Sequence, residues 1–97
     1  MISYPVTENN SSVVAATGLV VRGGRQISAI TLDGGTASSG ATLILDDSTD
    51  GSGTAKWVLR APQYGSSCIS FPKPIPFVDG IYATLTGTAS KVALAYT

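Results

Sequence analysis

The chain has no histidine and a single cysteine, Cys68, among its 97 residues. Without histidine it lacks the usual general base and the commonest transition-metal ligand. A single cysteine excludes an intramolecular disulfide and a multi-cysteine metal site, and we expect Cys68 to be a small apolar residue of the core. Any catalytic apparatus would depend on six carboxylates. The composition therefore argues against an enzyme and predicts neither a bound metal nor a cofactor.

Charge is also scarce, because charged residues make up 12% of the chain and the formal net charge is zero. A typical domain has roughly 25% charged residues. A neutral chain of this kind has no electrostatic footprint for nucleic acid or an anionic membrane. The first residues, MISYPVTENN, lack the features of a signal peptide, and no apolar run approaches the roughly 20 residues of a membrane helix. We therefore expect a protein made in the cytoplasm, with no nucleic-acid or membrane partner.

Small residues take the place of the missing charges, since serine, threonine, glycine and alanine supply 45 residues. A free monomer normally stays dispersed through a charged surface and a net charge away from zero. Small, weakly hydrated side chains suit a surface that ends up against another protein. The composition therefore favours an assembly protein, and a tolerant secreted or surface domain is the alternative.

Helix signals are nearly absent, because glycine or proline interrupts almost every window of a dozen residues. Short β-rich runs separated by turn residues predict an all-β protein: a single antiparallel β-sandwich or barrel of about seven strands. We assign residues 1–10 to a polar N-terminal arm and residues 11–97 to the single β domain. The predicted strands are 12–21, 26–32, 41–46, 55–61, 67–71, 81–87 and 91–97.

Turn chemistry and alternation add detail to this prediction. Gly23 and Gly24 form a good two-residue hairpin connection, and Gly18 is a possible bulge. The segment 72–77 holds three prolines, which predicts an extended edge strand or crossover. Period two in AKWVLRA places Ala55, Trp57 and Leu59 inward. Lys56 and Arg60 then point outward.

The densest acidic run is DDSTDGSGTAKW, residues 46–57. Asp46, Ser48 and Asp50 alternate and Gly51 follows, as in the first half of an aspartate-based calcium loop. The position that should hold a bidentate glutamate is Trp57, so the second half of the pattern fails. Asp, Ser and Gly fill ordinary turns because their side chains mimic backbone hydrogen bonds. We therefore predict a hairpin loop here.

Three other features have a functional and a structural interpretation. Trp57 and the tyrosines could form a stacking platform for single strands or sugars, but core packing explains Trp57. Gly23 and Gly24 lie between two arginines and could hold a phosphate, but a hairpin turn explains the glycines. A hydrolase could use paired carboxylates among Asp46, Asp47 and Asp50, provided that at least one of them is recessed.

Two segments, DGSGTAKWVLRAP (50–62) and PIPFVDGIYATLTGTASKVALAYT (74–97), resemble stretches of small virion proteins of tailed bacteriophages. The resemblance covers a little over a third of the chain. It implies a structural role, as a capsid decoration (cement) protein or a small fibre or tail component. Decoration proteins are often trimers that clamp neighbouring capsid subunits. The partners implied are the major capsid protein and further copies of this chain, and the implied location is the virion.

The N-terminal arm is the predicted tether to such a lattice. Ile2, Tyr4 and Val6 alternate along it, as a strand-like contact with a partner would need. The alternative to a decoration protein is a ligand- or carbohydrate-binding β module of a tail or head fibre. That module would expose aromatic side chains around one loop end, whereas decoration predicts buried aromatics and a flat apolar base.

Overall fold

The computed structural model describes residues 10–97, and in this range the chain is all-β. The prediction of an antiparallel sandwich is confirmed, with eight strands instead of seven. No helix in the described range is long and apolar enough to cross a membrane. The strands are β1 (Asn10–Val14), β2 (Gly18–Arg22), β3 (Arg25–Asp33), β4 (Ala41–Asp47), β5 (Ala55–Ala61), β6 (Ser66–Phe77), β7 (Gly80–Thr86) and β8 (Lys91–Tyr96).

The strands form two four-stranded sheets, ordered β1-β8-β3-β6 and β2-β7-β4-β5. All of the pairings are antiparallel. Every connection crosses from one sheet to the other except β4–β5, which is a hairpin. Eight strands wound into two sheets in this order form a jelly roll, an architecture found in viral capsid and lectin domains.

The eighth strand arises because the predicted strand 12–21 is two strands in different sheets. β1 ends at Val14, the chain crosses the sandwich through residues 15–17, and β2 begins at Gly18. β1 starts at Asn10, one residue before the predicted domain boundary. The irregularity in β2 lies between Leu19 and Val21, not at Gly18.

The predicted hairpin at Gly23 and Gly24 is wrong for a related reason. β2 pairs with β7 and β3 pairs with β6 and β8, so the two glycines carry the chain between sheets. The Gly23 N–H donates a hydrogen bond to the Asp79 carbonyl in the β6–β7 connection. Two glycines suit a sharp turn of either kind. The turn was therefore predictable, and the partner strands were not.

The core consists of alternate residues from the strands, as period two requires. Thirteen apolar side chains are buried, and nine others pack partly buried against them. Val92, Leu94 and Tyr96 alternate along β8, and all three are buried. The largest fully buried side chains are Phe77, Ile27, Ile30, Leu32, Leu43, Leu45, Ile81, Leu94 and Val92.

The outermost strands on one side of the sandwich, β5 and β6, close it with aromatic side chains. Trp57 and Leu59 pack against the core as predicted, whereas Ala55 is exposed beside a register shift opposite Asp46. The proline-rich segment 72–77 is the second half of β6, an edge strand as predicted. Between Ser70 and Ile75, β6 bulges away from β3. From this bulge Phe71 meets Trp57 edge to face, with ring centroids 4.8 Å apart.

Candidate interaction surfaces

The two ends of the sandwich differ in charge. One end carries the connections 15–17, 34–40, 62–65 and 87–90, which contain no charged residue, and we name it the neutral end. The opposite end carries the connections 23–24, 48–54 and 78–79, and we name it the charged end. Most of the charged residues of the described chain lie in or beside these three connections: Arg22, Arg25, Asp46, Asp47, Asp50, Lys56 and Asp79.

The acidic segment 46–57 is the hairpin between β4 and β5, as predicted. Two carboxylates of this segment, Asp47 and Asp50, accept hydrogen bonds from backbone N–H groups. Asp50 accepts hydrogen bonds from the N–H and hydroxyl of Ser52, and these bonds lower the pKa of the Asp50 carboxyl. Within residues 10–97, no three His, Cys, Asp or Glu side chains lie close enough together to hold a metal ion.

Asp47 joins this hairpin to the neighbouring connection. Its carboxylate accepts hydrogen bonds from the N–H groups of Val78, at 3.0 Å, and Asp79, at 2.8 Å. The Lys56 ammonium lies 3.9 Å from the same carboxylate and donates to the Pro76 carbonyl. The pKa of the Asp47 carboxyl is lowered, mainly by the hydrogen bond from the Val78 N–H and further by the N–H groups of Asp79 and Gly80 and the charge of Lys56. Desolvation of the carboxyl raises the pKa and offsets part of this effect.

We expect Asp47→Asn to lower the free energy of unfolding at neutral pH by about 1.5–3 kcal/mol, the usual range for hydrogen bonds to a charged group. A lowered folded-state pKa means that the carboxylate stabilises the fold above its unfolded-state pKa of about 3.9. This contribution is lost as the pH falls through the folded-state pKa. Urea unfolding of wild type and variant should therefore differ at pH 7 and converge as the pH falls below about 3.9 and through the folded-state pKa.

Asp79→Asn is the matched control for this prediction. It removes the same charge from the same end of the molecule but leaves the hydrogen bonds to the Asp47 carboxylate in place. We expect a change within about 0.5 kcal/mol, as for ordinary surface substitutions. Equal effects of the two variants, with no convergence at low pH, would contradict the role assigned to Asp47.

The three carboxylates of the hydrolase hypothesis differ in burial and direction. Asp46 is buried, as the hydrolase hypothesis required. Asp47 follows it directly on β4, so the two side chains point to opposite faces of the strand. A general acid needs a raised pKa, but the pKa shifts at Asp47 and Asp50 are downward. A cavity of about 340 Å³ at the charged end is open to solvent. None of the three carboxylates lines it; the lining residues are Gly24, Arg25, Gln26, Pro76, Phe77 and Thr97.

The outer face of the β1-β8-β3-β6 sheet is made of small uncharged side chains. Strand register aligns Val13, Ala93, Thr31 and Cys68 in one row across the four strands. A second row contains Ser11, Ala95, Ala29 and Ser70. We name these eight residues the small-residue face. Asp33 and Lys91 lie opposite each other in the strand register at the rim of this face, next to the neutral end.

Cys68 belongs to this face, so the prediction that it is a core residue is wrong. Ile69 and Phe71 on the same strand pack against the core. Because consecutive strand residues point to opposite faces, Cys68 must face outward. The alternation of SCISF contains this information, and the general preference of cysteine for burial outweighed it in the prediction.

Hydrogen bonds between loops hold the neutral end together. Gly34 donates to the Gly65 carbonyl at 2.8 Å, and Thr36 donates to the Thr88 carbonyl at 2.9 Å. Tyr64 donates to the Gly35 carbonyl, also at 2.9 Å. Each bond joins two different connections, so 34–40, 62–65 and 87–90 form one unit.

Six aromatic residues lie in the described range, and five of them are buried or half-buried. Tyr64 is the exception, with 78% of its surface exposed at the neutral end. Trp57 is half-buried against Phe71 and does not form an exposed stacking platform. The predicted partner contacts Ile2, Tyr4 and Val6 lie outside the described residues.

Comparison with known proteins gives no relative to guide the assignment. No protein-family model, no curated protein and no solved structure matches the chain. The functional argument therefore depends on the surfaces themselves.

Proposed function

We propose that the protein is a non-enzymatic structural protein of a phage virion, a capsid decoration protein that stabilises contacts between capsid subunits. The small-residue face carries this proposal. Its two central rows contain no charge and no long side chain, so a partner can approach closely without removing an ion from water. The resemblance of segments 50–62 and 74–97 to phage virion proteins supplies the location, the capsid partner and a trimeric state.

Two further observations favour assembly over a dedicated ligand-binding module. Val13, which is 72% exposed, gives the face an apolar point of contact. Five of the six described aromatics are at least half-buried, as the decoration hypothesis predicted and a cluster of ligand-stacking aromatics would not be. The jelly roll is compatible with a virion protein, although a fold alone does not determine a function.

Thr31→Arg tests whether the small-residue face is the contact. Thr31 is exposed at the centre of this face, on β3 between Ala93 and Cys68. Burying an unpaired arginine in an interface costs several kcal/mol, so we expect the dissociation constant of the oligomer to rise on the order of 100-fold or more. Sedimentation equilibrium measures this change, and thermal melting checks that the subunit remains folded.

Thr86→Arg is the matched control, because Thr86 is an exposed threonine on the outer face of the opposite sheet. It should leave association unchanged. The native Cys68 gives an independent readout, since a thiol reagent should modify it slowly in wild-type oligomers and fast in Thr31→Arg. A wild-type monomer at millimolar concentration that is also absent from purified phage particles would overturn the proposed function.

A further inference from the structure

The neutral end holds its one exposed aromatic residue in an unusual backbone conformation. Tyr64 and Ala89 are the non-glycine residues of the described chain with positive φ, at 57° and 56°, and both lie at this end. In the turn 62–65 the Gly65 N–H donates to the Pro62 carbonyl at 3.0 Å. A positive φ at the third position of such a turn normally belongs to glycine or asparagine. Tyrosine is therefore a costly choice where glycine would fit without strain.

The surrounding loops compel this conformation. The Tyr64 N–H is bound to the Gly35 carbonyl, and the Gln63 side-chain amide donates to the Thr36 carbonyl at 2.9 Å. Thr36 is bound in turn to Thr88, which precedes the other strained residue. Strain of this kind persists where the surroundings over-determine the backbone, and it concentrates at ligand sites. The conformation projects the Tyr64 ring into solvent from a rigid base.

The connections that hydrogen bonds join to Tyr64 are neutral and rich in hydroxyls. Their exposed polar side chains, apart from Tyr64, are Thr36, Ser38, Ser39, Gln63 and Thr88. The charged residues nearest in sequence, Asp33, Arg60 and Lys91, lie on strands, and the Asp33 carboxylate accepts a hydrogen bond from Gly35. Several backbone amides are already paired between loops, and the Thr36 hydroxyl and the Gln63 side-chain N–H are bound to loop carbonyls. The hydroxyls of Ser38, Ser39 and Thr88 and the Gln63 amide oxygen are left to meet a ligand. A hydroxyl both donates and accepts hydrogen bonds.

We propose that the neutral end binds a neutral saccharide, with the Tyr64 ring stacked on the apolar face of one sugar ring. The C–H groups of that face carry partial positive charge, which the negative face of an aromatic ring attracts. Tyrosine framed by serine and glycine on a rigid scaffold is also the composition of adaptable recognition loops. The absence of charge in the four connections disfavours phosphate, nucleic acid and anionic sugars as ligands. One isolated ring among hydroxyls suits a sugar better than a protein partner, which would bury a continuous apolar centre.

This inference goes beyond the proposed function and does not depend on it. The neutral end and the small-residue face are different surfaces, so each can fail alone. Thr31→Arg addresses the face and leaves Tyr64 in place, whereas substitutions at Tyr64 leave the face intact.

Amide NMR of the labelled chain, titrated with neutral hexasaccharides of glucose, galactose and mannose, tests the proposal. At least one probe should shift the resonances of Tyr64, Gln63 and Thr36 at millimolar concentration. Tyr64→Gly should weaken that binding by about tenfold or more, equivalent to about 1.4 kcal/mol, while melting no lower than wild type because glycine accepts this φ. Tyr64→Phe keeps the ring and should bind within about threefold of wild type.

Val78→Ala is the matched control, because Val78 is 70% exposed at the charged end. It should bind the saccharide as wild type does. Absence of any shift with all three probes would overturn the proposal, as would equal binding by wild type and Tyr64→Gly. Loss of self-association in Tyr64→Gly would also overturn it, because Tyr64 would then be a contact between copies of the chain.

Discussion

Gly35→Ala is expected to lower the free energy of unfolding by about 3–5 kcal/mol, combining left-handed strain with overpacking. Gly35 has a φ of +68°, and a Cβ there would lie 2.2 Å from the Thr88 carbonyl oxygen and 2.8 Å from the Ser90 nitrogen. These atoms belong to the backbone of another connection and cannot rotate away. Hydrogen bonds between the loops prevent the two segments from separating. Chemical denaturation measures the loss.

Gly23→Ala separates the two causes of that loss. Gly23 also has a positive φ, +85°, but apart from Gly23 and its two chain neighbours, no atom of the described residues lies within 4 Å of the position of its Cβ. Alanine there should add only backbone strain, about 1–2 kcal/mol. If both variants lose the same stability, the loops of the neutral end are not packed against one another as described.

Trp57→Ala is expected to cost about 3 kcal/mol, the lower end of the range for removing a buried tryptophan or phenylalanine side chain. The lower end applies because Trp57 is half-buried on an edge strand. Its ring meets Phe71 at an interplanar angle of 87°, and this contact joins β5 to β6 across the open side of the sandwich. Urea unfolding of the variant, compared with wild type, gives the loss directly.

Trp57→Phe tests how much of that loss comes from the aromatic ring and how much from the indole N–H. The Trp57 indole N–H is buried and has no hydrogen-bond partner among residues 10–97, and an unpaired buried donor costs about 1–3 kcal/mol. Phenylalanine removes that donor and keeps an aromatic ring, so we expect a much smaller loss than with alanine. A double-mutant cycle with Phe71→Ala should give a coupling of about 0.5–1.5 kcal/mol. A phenylalanine variant as unstable as the alanine variant would contradict this account.

Most of the fold follows from alternation and turn residues. AKWVLRA alternates with period two and is bounded by glycine and proline, and β5 has the predicted limits. The strand predicted over 12–21 failed because the chain crosses between sheets at Ala15, Ala16 and Thr17. None of these residues has the turn chemistry of glycine, proline or asparagine. The crossing is imposed by tertiary packing, so no local signal marked it.

The sequence indicated the chemical character of the surfaces but not which residues come together to form them. Composition indicated an uncharged surface of small residues. Only the strand register shows that Ala93 and Cys68 lie on either side of Thr31. The strands predicted over 55–61 and 67–71 place a connection at 62–66, and the structure has one at 62–65. The positive φ of Tyr64 was not predictable, because turn rules assign that conformation to glycine or asparagine. The hydrogen bond that holds the Tyr64 backbone is accepted by the carbonyl of Gly35, a residue distant in sequence.

The edges of the two sheets determine whether strands of different copies of the chain can pair. β6 ends in three prolines beside a bulge, β1 and β2 have five residues each, and β5 carries Lys56 and Arg60. Prolines, bulges, short strands and cationic side chains each discourage an incoming strand. The chain can therefore reach a high local concentration without its sheet edges nucleating cross-β fibrils. A neutral protein whose sheet edges are blunted associates through its faces and loop ends, and contacts of that kind do not extend a β-sheet.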